Sequence, residues 1–157
     1  MLIPTLLIGQ NEPNTKINLP KNNIYGELHV GLFSQGVMNY ERQIFSGKTV
    51  SWYGRLGGGY GAWVEWEGDF GWGGLGAITM LTGKKNNHFE LNGGCFLGRN
   101  SVYLYPNGVY EERVKSYYAF PVPIFNVGYR YQKPEGGFIF RANAGIISLG
   151  LSFGYAF

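Results

Sequence analysis

Three acidic and three basic residues fall at positions where an extended chain would turn them all to one side. Successive side chains of a strand point to opposite faces, and alternation places these residues opposite the large apolar side chains. The six are Glu27, Glu41, Arg55, Glu90, Arg130 and Arg141. A buried charge costs several kcal/mol unless it is paired and hydrogen-bonded. Three acids matched by three bases therefore predict an internal network of salt bridges. We expect four asparagines on the same faces to add neutral hydrogen bonds: Asn39, Asn92, Asn126 and Asn143.

The same faces carry residue types that a hydrolase or an acyltransferase would need. Such an enzyme places a nucleophile beside a base, and the candidate pairs are His29 with Ser34 and His88 with Glu90. His88 and Glu90 share a face, but they follow a lysine-rich turn and no serine is close to them in the sequence. Because a serine and a histidine come together easily by chance, we predict that the chain is not an enzyme. A gated narrow channel through the charged cluster is the other alternative.

Metal, phosphate and nucleic-acid chemistry are not indicated by the sequence. The two histidines and the single cysteine, Cys95, lack the spacing of metal ligands, so no metal or cofactor is predicted. The run Gly57-Gly58-Gly59 is not followed by Gly-Lys-Ser or Gly-Lys-Thr, and no helix is predicted after it, so it is not a phosphate-binding loop. Lysine and arginine are scattered along the chain, which gives no sign of a nucleic-acid partner.

The composition indicates a β-rich protein adapted to a membrane. The chain has 157 residues, enough for one domain, and 26 of them are glycine. Aromatic residues make up 17% and charged residues only 15%, whereas soluble domains carry roughly 25% charged residues. The sequence holds no run of 18 apolar residues, so a transmembrane helix is not predicted.

The last nine residues alternate more clearly than any other part of the chain. Large apolar side chains share one face of this extended segment, namely Leu149, Leu151, Phe153, Tyr155 and Phe157. The opposite face carries only small residues: Gly150, Ser152, Gly154 and Ala156. A soluble strand with one buried face usually has polar residues on the other. This pattern instead predicts an apolar face turned to lipid and a narrow, crowded interior.

The final five residues, Phe-Gly-Tyr-Ala-Phe, carry a resemblance to known proteins. This ending resembles the C-terminal strand signature of Gram-negative outer-membrane β-barrels, which the barrel-assembly machinery reads. The resemblance implies that Phe153, Tyr155 and Phe157 form the assembly signal. It also implies a location in the bacterial outer membrane.

Further stretches are similar to a family of small, mostly uncharacterised outer-membrane barrel proteins. They are Asn-Tyr-Glu-Arg at 39–42, Thr-Gly-Lys-Lys-Asn at 82–86 before His88-Phe89-Glu90, Gly-Tyr-Arg-Tyr-Gln-Lys-Pro at 128–134 and Gly-Gly-Phe at 136–138. The resemblance covers roughly residues 22–157 and implies a fold and a location. The family has no shared catalytic motif to transfer to this chain.

Alternation and turn residues divide the chain into a leader, residues 1–23, and a barrel domain, residues 24–157. The apolar start of the leader fits either the remnant of a secretory signal peptide or a periplasmic tail. The predicted strands span about 24–33, 37–45, 49–61, 74–82, 88–98, 120–132, 138–144 and 149–157. We expect tight turns at 34–36 and 147–148, an exposed loop with tryptophan anchors at 62–73, and a projecting hairpin at 99–119. Short connections at 34–36 and 147–148 predict a low rim on that side of the barrel. Strands of this length can cross a bilayer when tilted.

The sequence thus predicts an all-β fold, an eight-stranded antiparallel up-and-down transmembrane β-barrel whose last strand pairs with the first. Because an eight-stranded barrel has an interior just wide enough for side chains to fill, we expect a salt-bridged lumen and no continuous pore. The expected role is structural, adhesive or surface-binding through external loops. The expected partners are outer-membrane lipids and, during insertion, the assembly machinery, and the expected state is a monomer.

Two other functions fit parts of the same pattern. A soluble lipocalin-like barrel would line a pocket with the large residues, bind a small hydrophobic ligand and carry the charges on its outer surface. A lipid-modifying outer-membrane enzyme would depend on His29 or His88. The lipocalin-like barrel differs from the membrane barrel in its polarity: its charged face would point outward and its large apolar face inward.

Overall fold

The structure is a computed structural model that describes residues 18–63, 71–83, 85–104 and 114–157. Residues 1–17 of the predicted leader lie outside this part of the chain. The strands are β1 (Asn22–Gly31), β2 (Phe33–Ser46), β3 (Val50–Trp63), β4 (Gly71–Thr82), β5 (Asn87–Leu104), β6 (Val114–Gln132), β7 (Gly137–Gly145) and β8 (Ser148–Ala156). No helix in the described residues is long and apolar enough to cross a membrane.

The eight strands form one closed antiparallel barrel in sequence order, as predicted. β1 pairs with β8 from Asn23 opposite Ala156 to Gly31 opposite Ser148. The last residue extends this ladder, because Phe157 N donates to Asn22 O at 2.8 Å and Asn22 N donates to Phe157 O at 3.0 Å. Closure leaves the sheet without a free edge along the first and last strands.

Burial alternates along the strands and turns the polar face inward. In β1, Glu27 and His29 are buried, whereas Leu28 and Val30 are 61% and 63% exposed. The other strands repeat this alternation, so the outer wall is mainly apolar and the six predicted charged side chains lie in the lumen. The period of two along each strand produces this division.

The tight turn predicted at 34–36 is wrong. These residues belong to β2, and the chain reverses around Leu32 instead. Gly36 lies opposite Leu28 in the ladder, so a stretch of small and polar residues that resembles a turn is part of the wall. The Ser34 hydroxyl closes the true turn by accepting a hydrogen bond from Gly31 N at 3.3 Å.

The loop predicted at 62–73 is shorter than expected, whereas the projecting hairpin predicted at 99–119 is confirmed by the continued pairing of β5 with β6. β3 continues to Trp63 and β4 begins at Gly71, so only 64–70 separate them, and these lie outside the described residues. β5 and β6 stay paired up to Leu104 opposite Val114. The prediction that β6 begins at 120 gave too much weight to its two prolines.

Pro121 and Pro123 are tolerated because this part of β6 pairs on one side only. β6 contacts β5 along its whole length, but its pairing with β7 ends at Asn126 opposite Gly145. Proline is accepted at such an edge, where its missing N–H removes no ladder bond.

The barrel wall is low over β7 and β8. Both strands end near the connection at Ile146 and Ile147, whereas β6 extends up to Val114. The connection is tied to the neighbouring turn, because Leu32 N donates to Ile147 O at 2.8 Å. A notch therefore lies beside the upper half of β6, on the side that the short last connection indicates.

Candidate functional site in the barrel lumen

The lumen holds a continuous network that contains all six predicted charged residues. Each of the six is at most 4% exposed. They come from six strands, and alternation alone positions their side chains inward. The network has three carboxylates and three guanidinium groups, so its formal charges balance.

Glu90 is the centre of the network. Arg130 Nε donates to Glu90 Oε2 at 2.5 Å. Arg141 Nε donates to the two carboxylate oxygens of Glu90 at 3.1 and 3.0 Å, and Arg141 Nη2 also donates to Oε1. Asn92 Nδ2 supplies a further donor to Glu90. One carboxylate therefore joins two guanidinium groups from neighbouring strands.

Arg130 extends the network across the lumen. It forms a bidentate salt bridge with Glu41, in which Nη1 donates to Oε2 at 2.7 Å and Nη2 donates to Oε1 at 3.0 Å. Because β2 and β6 are not neighbours in the sheet, this pair spans the interior. Tyr25 and Asn23 complete the coordination of Glu41 with donors at 3.2 and 3.0 Å.

Glu27 and Arg55 form the third part of the network. Arg55 Nη2 donates to Glu27 Oε1, and Arg55 Nε donates to Asn39 Oδ1 at 2.9 Å. Ser152 Oγ donates to the second oxygen of Glu27 at 3.1 Å. Arg141 Nη1 lies 3.4 Å from that same oxygen. Arg141 therefore links the Glu27 and Glu90 groups into one cluster.

Two tyrosines that the sequence reasoning did not single out support the arginines. The guanidinium carbon of Arg141 lies 4.3 Å from the centre of the Tyr25 ring, and that of Arg55 lies 5.5 Å from it. Arg130 lies 5.7 Å from the ring of Tyr53. Aromatic faces attract cations more strongly when both are removed from water. Tyr25 could have been found from the sequence, because it shares the inward face of β1 with Glu27.

The end of the lumen where β1 begins and β8 ends is filled by apolar side chains. Leu19 packs there with Tyr53 and Leu81, and all three are buried. The Tyr53 hydroxyl donates to Pro20 O at 3.0 Å, which holds the segment before β1 across the barrel mouth. The residues just before β1 thus close the lumen at the end where β1 begins and separate the charge network from the outside.

His29 does not pair with Ser34, contrary to the candidate nucleophile and base predicted from the sequence. Its Nδ1 lies 3.0 Å from Ser148 Oγ, and its Nε2 lies 3.2 Å from Glu27 Oε1. In serine hydrolases the ring is reversed, with Nε2 toward the hydroxyl and Nδ1 toward the carboxylate. Glu27 is moreover engaged by Arg55. His29 thus joins β8 to the charge network.

The second candidate pair, His88 and Glu90, is not joined by a hydrogen bond, because each residue bonds to other partners. His88 Nδ1 lies 3.0 Å from Thr82 O, and Nε2 lies 3.1 Å from Gln132 O. Glu90 is occupied by the two arginines. His88 therefore connects backbone groups near the turns. In the part of the chain that the structure describes, no three His, Cys, Asp or Glu side chains are grouped to hold a metal ion.

The upper half of the lumen is apolar. Its buried side chains are Phe33, Val37, Leu75, Phe96, Val122 and Ile124. Amides lie between this cluster and the charges, and two of them behave as predicted: Asn39 and Asn92 bond to charged residues. Asn126 and Asn143 do not, because the Nδ2 atom of each has no hydrogen-bond partner in the structure. The prediction that they hydrogen-bond in the plug is wrong for these nitrogens.

The predicted C-terminal signal residues lie on the outer wall. Phe153, Tyr155 and Phe157 are 55–59% exposed. Phe153 contacts Phe140 of β7, with ring centres 5.3 Å apart. The row is therefore displayed on the surface of the completed barrel.

Comparison with known proteins finds a likeness at the level of the fold. No family model matches the sequence, and no curated protein matches it. Among solved structures, the chain is similar to the N-terminal β-barrel domain of Pseudomonas aeruginosa OprF, with a TM-score of 0.56 and 13% sequence identity. The match covers 91% of this chain and 100% of that domain. At this identity the likeness concerns the fold: this chain is an eight-stranded β-barrel similar to that outer-membrane barrel.

Proposed function

We propose that this chain is an integral outer-membrane β-barrel with a closed, salt-bridged lumen and a structural, adhesive or surface-binding role. The observation that carries the proposal is the polarity of the wall. The six charged side chains of the network are inside at 0–4% exposure, and large apolar side chains cover most of the outside. An apolar outer surface around a charged interior suits a hydrocarbon environment, and it is the reverse of the arrangement in a soluble protein.

The outer wall supports an environment of lipid. Leu56, Leu149 and Phe125 are 69%, 67% and 57% exposed, and many similar residues surround the barrel. Soluble monomers rarely expose continuous apolar patches larger than a few hundred Å². The soluble lipocalin-like alternative requires Glu27, Arg55 and Glu90 on the outside, where none of them lies.

Aromatic residues near the two ends of the wall support the same reading. At the end of the barrel where β1 and β5 begin, the Tyr40 hydroxyl donates to Asn22 Oδ1 at 2.8 Å and the Tyr129 hydroxyl donates to Asn87 Oδ1 at 2.6 Å. Toward the other end, the rings of Tyr60 and Trp72 meet edge to face at 5.4 Å. Tyrosine and tryptophan concentrate at the two interfaces of membrane barrels.

The closed and charge-balanced lumen supports a structural or binding role. A balanced network with aromatic and apolar packing below it supports a barrier to ions and no catalytic function. Function then belongs to the external loops, since loops on a rigid scaffold commonly carry binding. We propose that the barrel acts as a monomer, that its partners are outer-membrane lipids and that it binds no nucleic acid. The assembly machinery would read Phe153, Tyr155 and Phe157 during insertion.

Heat modifiability tests the proposal. The membrane fraction is extracted in detergent, and boiled and unheated samples are compared by gel electrophoresis after separation of inner and outer membranes. We expect a mobility shift in the outer-membrane fraction, and conductance of the purified protein in planar bilayers no higher than that of the bare lipid. A monodisperse protein in detergent-free buffer would refute the membrane location, and stable channel steps would refute the closed lumen.

A further inference from the structure

A cavity of about 170 Å³ lies at the low side of the barrel, above the charge network. Its inner wall is formed by Phe33, Trp63, Val122 and Ile124. Three of these belong to the apolar cluster of the upper lumen, and Trp63 packs against it. The centres of the Phe33 and Trp63 rings are 5.2 Å apart. The cavity thus has a mainly hydrophobic lining.

The floor of the cavity is polar and has unused hydrogen-bonding capacity. Gln35 and Asn126 line it and are 4% and 2% exposed. Gln35 Oε1, an acceptor, and Asn126 Nδ2, a donor, have no hydrogen-bond partner in the structure. Buried polar groups are almost always hydrogen-bonded, because leaving one unpaired is costly. The floor therefore presents one free acceptor and one free donor.

The cavity also reaches the outer wall. Phe125 and Ile146, which are 57% and 81% exposed on the outside, line it together with the inward residues. This is the place where β6 continues beyond its last pairing with β7, at Asn126 opposite Gly145. The notch in the wall therefore connects the lumen with the surroundings of the barrel.

We propose that this cavity binds a small neutral amphiphile that enters sideways from the bilayer. The ligand has a ring or short chain packed against Phe33, Val122 and Ile124, and one hydroxyl or amide end on the floor. That end donates to Gln35 Oε1 and accepts from Asn126 Nδ2. The inference rests on the proposed membrane location, because the notch must face hydrocarbon.

Size and charge set the class of ligand. Apolar protein cavities of roughly 150 Å³ hold a benzene molecule, so 170 Å³ suits a single ring with one polar substituent. The described residues that line the cavity carry no charged side chain. A neutral phenol or short alcohol fits this site, whereas an ion does not.

The test uses 4-fluorophenol as probe and fluorobenzene as its partner without a hydroxyl. Each is titrated into lipid nanodiscs that contain the barrel, and binding is read from the broadening of the fluorine NMR signal relative to empty nanodiscs. We expect saturable binding of 4-fluorophenol. The double variant Gln35→Leu/Asn126→Leu should weaken it at least tenfold while fluorobenzene binds as before or better.

A filling variant and a matched control complete the experiment. Val122→Phe puts extra volume into the cavity and should abolish binding of both probes, whereas Val127→Phe makes the same change on the outer wall of β6 and should leave binding intact. Wild-type broadening no greater than that of Val122→Phe would overturn the proposal. Equal binding of 4-fluorophenol to the double variant would overturn the role of the floor.

Each variant is first examined for heat modifiability. A protein that shifts on boiling but does not bind the probe refutes the ligand site alone. A wild-type protein that does not shift on boiling contradicts the proposed membrane barrel. The failure of the ligand site and the failure of the membrane barrel are therefore distinguishable.

Discussion

Replacing Glu90 by glutamine removes one charge from the centre of the lumen without changing its shape. Glu90 accepts hydrogen bonds from Arg130 and Arg141, and it is 0% exposed. The variant would leave three guanidinium groups facing two carboxylates. Because breaking a buried ion pair costs roughly 3–5 kcal/mol, we expect Glu90→Gln to lower the free energy of unfolding by about that amount.

Urea unfolding in lipid vesicles, followed by tryptophan fluorescence, measures this loss. The midpoint should fall while the slope stays constant, since the surface exposed on unfolding does not change. Glu135→Gln is the matched control: it makes the same chemical change at an exposed position in the turn between β6 and β7, and we expect a change within about 0.5 kcal/mol.

A second variant tests whether charge balance is the cause. Arg141→Met removes the guanidinium that contacts both Glu90 and Glu27. In Glu90→Gln/Arg141→Met the lumen is balanced again, so the double variant should be more stable than the sum of the single losses by about 1–3 kcal/mol. The reasoning is refuted if Glu90→Gln unfolds with the stability of the wild type, or if the two losses simply add.

Three further predictions concern the wall, the terminus and the histidine. Leu28→Arg places a charge on the outer face of β1 and should lower the stability in vesicles by about 2–4 kcal/mol, measured by the same urea assay; an unchanged midpoint would contradict a lipid-facing wall. Phe157→Ala should reduce the heat-modifiable band in cells but leave refolding of the purified chain in detergent unchanged, and equal yields in cells would argue against an assembly signal. Ser148→Ala and His29→Ala, assayed with a chromogenic ester, should show the same background hydrolysis as the wild type, whereas loss of a wild-type activity in both would overturn the non-enzymatic proposal.

The barrel fold was predictable because the alternation that produces it can be read along each strand separately. The period of two in Ile24–Gly31 and in Leu149–Phe157 assigns every side chain to the wall or the lumen without knowledge of the partner strand. The same alternation placed Glu27 and Glu90 inside, where the structure has them. Since every strand feeds one narrow interior, inward charges of opposite sign must lie near one another.

Contacts that depend on distance across the barrel were not predictable. His29 and Ser148 are 119 residues apart in the sequence, and only the pairing of β1 with β8 brings them together. The bond from Asn92 to Glu90 is local, because the two residues are two apart on one strand, but nothing local reveals that Asn126 Nδ2 has no partner. Both asparagines point inward, and they lie opposite each other in the ladder between β5 and β6.

The errors in strand ends also have physical causes. Ser34, Gln35 and Gly36 have the composition of a turn, but hydrogen bonds to the flanking strands keep them extended. Prolines normally mark the end of a ladder, yet Pro121 and Pro123 lie where β6 has no β7 partner. Whether proline interrupts a strand depends on its neighbour, which the local sequence does not contain.

Cys95 allows the most direct test of the lipid-facing wall. It is the single cysteine of the chain and lies half-buried on the outer face of β5, in a shallow groove formed with Gly76 and Gly94. A nitroxide attached to it in vesicles reports collisions with oxygen, which concentrates in hydrocarbon, and with a water-soluble nickel complex. We predict that oxygen collisions dominate, as expected for a side chain within the bilayer. Dominant collisions with the nickel complex would contradict the account.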